Sequence, residues 1–279
     1  MSRLFLPTRV PARSVAVYAL AFLCFACADR GPSAIRVAST PMIVEIGLAS
    51  ALFDAFQTAH PQYRIAPLPA SEGAFETARK READVLFTNS PTEEARLIAE
   101  EHALDRRPVM HSEFVLVGPP EDPADVAGIS DIGDAFRAIA GAGMRFVESS
   151  GGPGATRPDQ AIWASIGVTP AAPWAMLGEA SPADGLRLAS DQRAYLLVDL
   201  ASFLAVAPTV DLEIVSQGDR RLVDAHAVLL VANASNARGA RAFAEWLAGP
   251  AARSVIEEFA LDPFGAPVFR AGPAPVGPR

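Results

Sequence analysis

The chain predicts an α/β architecture with largely parallel sheets, and three observations lead there. Short β-branched or apolar runs alternate with amphipathic stretches from residue 35 to residue 259. Half of the 279 residues are hydrophobic and 20% are charged, which supplies a sizeable core and excludes a disordered chain. Several of the predicted strands end in small polar residues that lead directly into a helix, as in open α/β sheets.

Ahead of the first strand, residues 1–27 read as an export leader. Arg3, Arg9 and Arg13 form a positive start with no acid, and the apolar run at 15–26 (VAVYALAFLCFA) is too short for a permanent span. Cys24 and Cys27, the chain's two cysteines, close that run. Ala26-Cys27 has the small-then-Cys order of a bacterial lipoprotein cleavage site, although Cys24 stands where Leu is usual. Cys27 is therefore the expected lipidation position, with plain cleavage near Ala28 as the alternative. One acyl chain would hold a soluble domain at a membrane surface. In either case the mature fold is expected to carry no disulfide.

Residues 35–39 (IRVAS) make the first strand, and Ser39-Thr40-Pro41 turns it into a helix with Leu48, Leu52, Phe53 and Phe56 at helical spacing. His60-Pro61 stops that helix, and 63–68 (YRIAPL) alternates as a strand. A short helix at 73–81 precedes an apolar, buried strand at 83–88 (ADVLFT). Asn89-Ser90-Pro91-Thr92 opens a helix to about residue 102, with Glu93 and Glu94 in its first turn. A strand at 113–118 (EFVLVG), a helix at 131–141 and a strand at 145–148 follow. The last of these runs into the loop Ser149-Ser150-Gly151-Gly152-Pro153-Gly154, and then a helix carries Ile162 and Trp163. A strand at 195–198 (YLLV) ends at Asp199 before a helix around 202–205. Strands at 212–215 and 227–231, helices at 238–248 and 250–259, and a flexible Pro/Gly-rich tail at 271–279 complete the reading. Trp163, Trp174 and Trp246 read as packing residues; Trp246 shares helical spacing with Phe243.

Ser39, Thr40, Asn89, Ser149, Ser150 and Asp199 are the candidate ligand contacts. Each stands where a strand gives way to a helix, and free N–H groups and the positive dipole end there favour anions. Each is also, taken alone, a helix cap. The loop at 149–154 adds two hydroxyls and three glycines able to wrap N–H groups around an oxyanion, but no Gly-Lys-Ser/Thr follows, so it is not a P-loop. Asp199 suits the orientation of a neighbour better than contact with an anion, unless the ligand is neutral or cationic.

Other classes of function fit poorly. The net charge is −8 and no basic stripe appears, so nucleic acid is not an expected partner. His60, His102, His111 and His226 have no zinc-ligand spacing, Gly-x-Ser-x-Gly is absent, and Asp199 with Glu148 is a weak candidate carboxylate pair. No enzyme activity, cofactor or metal is expected.

Several motifs together resemble the tungstate-binding proteins of ABC importers, within the type II periplasmic binding-protein fold. They are Arg106-Arg107-Pro108-Val109-Met110 running on to Glu113-Phe114-Val115-Leu116-Val117-Gly118-Pro119, Ala83-Asp84-Val85-Leu86 with Pro91, and Phe146-Val147 ahead of Trp163. The C-terminal set is Phe243, Trp246-Leu247, Pro250, Ile256, Phe259, Phe264-Gly265, Pro267 and Phe269. The resemblance covers about residues 35–270. It implies two α/β lobes with a ligand cleft between them, lobe I from 34–112 plus 221–270 and lobe II from 113–220. It also implies a monomer in the periplasm or on the outer face of the cell membrane, which hands a small solute to an ABC permease and its ATPase. The implied ligand is an oxyanion of the tungstate or molybdate type.

The binding loops depart from the family pattern. Only Ser39 and Thr40 remain of a Ser/Thr run, and Pro41, Met42 and Ile43 fill the rest. Ser149 stands at an Arg position, Pro153 and Ala155 at Ser and Thr positions, and Asp199-Leu200-Ala201 replaces Asp-Arg-Gly. Two cationic partners lost at about 1.5–3 kcal/mol each would cost roughly two to four decades of affinity. Arg157 is the candidate substitute. The alternative is a binding-fold lipoprotein with an altered or lost pocket that acts as a sensor or binds a partner protein.

Overall fold

The computed structural model describes residues 31–69, 73–148, 157–178, 181–261 and 268–275. β1 (Ser33–Ser39) pairs in parallel with β2 (Tyr63–Pro67) on one side and β3 (Val85–Thr88) on the other. The apolar stretch after Thr40 forms two helices, α1 (Pro41–Glu45) and α2 (Leu48–Ala59), rather than the single one expected. Gly47 separates them with a φ of 86°, a left-handed turn that glycine adopts without a Cβ clash. α2 buries Leu48, Leu52, Phe53 and Phe56, the residues its spacing marked out. α3 (Ala74–Arg79) and α4 (Pro91–Ala99) flank β3; α4 stops short of residue 102, and Glu101 turns the chain with a φ of 58°.

β4 (Ala103–Gly118) is 16 residues long and starts well before the expected residue 113. Its first half hid in the sequence because Arg106, Arg107 and Pro108 look like loop. The register shifts on both sides of Arg107-Pro108, and such irregularities tolerate a proline that lacks an N–H. From Ala103 to Glu113, β4 pairs antiparallel with β9 (Val223–Val231); from Phe114 to Gly118 it pairs with β7 (Tyr195–Asp199) and β8 (Glu213–Ser216). One strand therefore serves two halves of the sheet. Along the sheet the order is β2-β1-β3-β9-β4-β7, then β5 (Phe146–Glu148) and β6 (Ala175–Leu177). β10 (Arg270–Ala271) adds to β4. The outer strands pair in parallel and the central ones antiparallel, so the sheet is mixed.

The remaining helices are α5 (Ile132–Gly141), α6 (Pro158–Ser165), α7 (Pro182–Gln192), α8 (Leu200–Val206), α9 (Ala237–Leu247) and α10 (Pro250–Leu261). α7 went unread although its start signal is present: Ser181 accepts a hydrogen bond from the Asp184 amide and Pro182 opens the first turn. One core gathers Ile35, Val37, Phe53, Phe56, Phe243 and Phe269 beneath β1, β3 and β9. Another gathers Phe136, Phe146, Trp163 and Tyr195 beneath β5 and β7. The tryptophans pack as expected: Trp163 lies 4.4 Å from Phe136 and 5.5 Å from Trp174, and Trp246 lies 5.6 Å from Phe56. Among the described residues no helix is long and apolar enough to cross a membrane.

Candidate ligand-binding site

Four of the six expected contacts can be placed; Ser149 and Ser150 lie outside the described residues, as does the lipidation candidate Cys27. Ser39 and Thr40 are buried at the end of β1, where Ser39 pairs with Phe87 and the Thr40 amide donates to the Phe87 carbonyl at 3.2 Å. Thr40 precedes α1 but makes no side-chain cap, and its Oγ1 is buried with no hydrogen-bond partner. A buried hydroxyl left this way costs about 1–3 kcal/mol, which a ligand acceptor would recover. For Thr40, then, capping does not explain the residue.

Asp199 is different. Its Oδ1 accepts from the Ser202 amide at 2.8 Å, a helix cap on α8. Burial pushes its carboxyl up, against the lowering effect of its hydrogen bonds from Ser202; Asp224 adds to the rise and His226 opposes it. Asn89, half-buried past the end of β3, donates from Nδ2 to both oxygens of Asp224 at 3.1 Å. That amide group is thus engaged by a carboxylate. Arg157 stands half-buried ahead of α6 with no cap bond from its side chain, and Glu148 ends β5, where burial first and then the charge of Asp159 push its carboxyl up.

Apolar residues follow both Thr40 and Asp199. Met42 and Ile43, which follow Thr40, share one packed cluster with Leu200 and Ala201, which follow Asp199. Leu200 and Leu204 also pack against the cluster formed by Val115, Val198 and Phe203. α8 therefore bridges the two halves of the sheet.

Sequence reading missed Asp224 and His226. They alternate with apolar residues at the start of β9, but that strand was expected to begin only at residue 227. Both are buried, as are Ser112, the register partner of Asp224 on β4, and Glu94 on α4. Burial pushes the Glu94 carboxyl up, while Arg106, whose Nε donates to Oε2 at 2.5 Å, pulls it down. Among the described residues, no group of three or more His, Cys, Asp or Glu side chains could hold a metal ion. The strand ends bring together buried hydroxyls and buried charges, groups of the kind that bind a small polar molecule.

A family model for bacterial extracellular solute-binding proteins matches residues 45–260. The tungstate-binding protein TupA of Peptoclostridium acidaminophilum is 30% identical over 202 residues, 70% of this chain and 71% of that protein. A putative ABC transporter anion-binding protein of Haloferax volcanii is 31% identical over 241 residues, 83% of this chain and 70% of that protein. Among solved structures, the tungstate-binding protein TupA from Desulfovibrio alaskensis G20 superposes with a TM-score of 0.75 at 21% identity, over 87% of this chain and 100% of that one. At that identity the likeness speaks for the fold, a two-lobed α/β binding protein.

Proposed function

The chain belongs to the family of bacterial extracellular solute-binding proteins, and from that premise we propose that it captures a small oxyanion of the tungstate or molybdate type for an ABC importer. It works by binding and release, not by catalysis. The observation that carries the reading is the Thr40 hydroxyl, buried and unpartnered beside Ser39 at the end of β1. Ser39 and Thr40 donate to the ligand from one side, and the start of α8 after Asp199 closes from the other. The proposed lobes are residues 34–112 with 221–270, and 113–220; the change of β4 from β9 to β7 after Glu113 supports this division. Asp199 serves chiefly to cap and orient α8. Export and acylation of Cys27 place the protein at the outer face of the membrane, within reach of a permease and its ATPase; an acyl mass on Cys27 in the protein isolated from membranes is the expected check.

A thermal-shift panel of tungstate, molybdate, sulfate, phosphate and neutral solutes tests the ligand class. A ligand at 100 times its dissociation constant stabilises by about 2.7 kcal/mol, and the midpoint moves by about 2–4 °C per kcal/mol. A rise with tungstate or molybdate supports the reading, and Arg157→Ala should then weaken it if Arg157 replaces a lost cation. The apolar cluster that Met42 and Ile43 share with Leu200 and Ala201 favours a second reading, in which the pocket has changed ligand and the protein acts as a sensor or partner-binding lipoprotein. A shift with a neutral solute alone, or with no solute, would select it.

A further inference from the structure

Among the described residues, two buried hydroxyls have no hydrogen-bond partner: Thr40 Oγ1, already assigned to the ligand, and Ser112 Oγ on β4. Ser112 is 6% exposed. It stands two residues before Phe114, where β4 exchanges β9 for β7. Its register partner on β9 is Asp224. Phe114, the next residue on the same face of β4, has Asp199 as its register partner on β7. Asn89 in turn donates to both oxygens of Asp224. Ser112 therefore lies between the strand end that carries Asn89 and the strand end that carries Asp199, two of the candidate contacts.

Strand direction puts it at the same end of the sheet as Thr40. β3 and β4 both run antiparallel to β9, and β1 runs parallel to β3. β1 and β3 finish level with each other, Ser39 opposite Phe87, and β3 reaches its last residue, Thr88, opposite Ala227. Ser112 is opposite Asp224, nearer the start of β9 and so past the level at which β3 ends. Its neighbours leave the hydroxyl unused. A carboxylate facing a serine across a strand pair is a ready acceptor, yet Asp224 is held at 3.1 Å by Asn89 Nδ2 on both oxygens and stands 3.1 Å from His226 Nε2, with no bond to Ser112. A serine hydroxyl rotates to suit an acceptor that is available. Burying one without an acceptor is unfavourable, and alanine would fill the position without that penalty. A hydroxyl left this way is completed by a bound water, an ion or a ligand. Its place between Asn89 and Asp199 favours the ligand. Resting on the oxyanion reading above, we propose that Ser112 is a further hydroxyl donor to the ligand, supplied by the strand that joins the two proposed lobes. It donates to an oxyanion oxygen without adding charge, and it stands where β4 passes from the lobe of Ser39 and Thr40 to the lobe of Asp199.

A ligand role and a structural role for this hydroxyl differ in sign, and Ser112→Ala separates them. Two measurements are needed: thermal unfolding without ligand, and calorimetric titration with sodium tungstate. The expected result is a higher unfolding midpoint than the native protein, because a buried hydroxyl without an acceptor is gone, together with tungstate binding weakened by about tenfold or more, the value of one hydrogen bond to a charged ligand. Tungstate affinity equal to that of the native protein overturns this inference alone and leaves the oxyanion reading standing. A lower midpoint without ligand also overturns it, whatever the affinity, and assigns the hydroxyl to the fold through a bound water. No binding of tungstate to the native protein removes the oxyanion reading and this inference with it.

Discussion

At Asp84, burial on its own favours the neutral acid, yet hydrogen bonds from the Arg36 side chain and amide, the Asn236 amide and Ser235 Oγ hold the carboxyl down at about 2. The side chain is fully buried and ties β1 to the start of α9. Its folded value lies below the ordinary 3.8, so the stability it contributes is complete above about pH 4 and is lost as pH falls through about 2. Asp84→Asn should lower stability by about 2–3 kcal/mol at neutral pH and remove this acid limb, as read by urea unfolding at pH 7 and pH 3. Arg106 makes the opposite case: without it Glu94 stays buried and unpaired, so Arg106→Gln should destabilise by about 3 kcal/mol in the same assay. Thr40 and Asp199 looked alike in the sequence, small polar residues between a strand and a helix. Only the geometry separates a cap from an unpartnered hydroxyl, because the difference lies in where the oxygen points and not in residue type.

Among the elements, β4 is the register partner of both Asp199 and Asp224, and it ends at a close approach. A Cβ built on Gly118 would stand 2.5 Å from two ring carbons of Tyr195. That ring cannot yield easily, because its hydroxyl donates to Asp122 at 2.7 Å and accepts from the Ala124 amide at 2.9 Å. Gly118→Ala should therefore cost about 1–3 kcal/mol by overpacking, seen as a lower midpoint in thermal unfolding. Trp163→Ala opens the cluster of Phe136, Phe146 and Trp174 and should cost about 3–5 kcal/mol in the same measurement. Helices with a clean apolar stripe, such as α2 and α9, were legible from spacing alone. β4 and β9 were read only in their apolar ends, since Arg106-Arg107-Pro108 and Asp224-Ala225-His226 carry charge into strand positions that tertiary contacts bury or pair. Charged residues in a strand are legible only once their partners are known, and here the partners lie on other elements.

For the molecule as a whole, β4 and β9 run through the centre of the sheet while α8 packs Leu200 and Leu204 against both cores. On the proposed two-lobe division, β4 and β9 are the strands that would bend, and α8, through the cluster that Leu200 and Ala201 share with Met42 and Ile43, is the element that would shift. Leu200→Asp should favour an open form by placing a charge between the two clusters that Leu200 packs against, and small-angle scattering of the ligand-free protein should show a larger radius of gyration. The measurement that bears most directly on oxyanion capture is calorimetric titration of tungstate into the native protein and into Thr40→Val, which keeps the shape and removes the hydroxyl. The expected result is saturable binding of one tungstate per chain, weakened about ten- to a hundredfold in Thr40→Val, the value of one hydrogen bond to a charged ligand. Absence of binding to the native protein, or equal affinity in both, would contradict it.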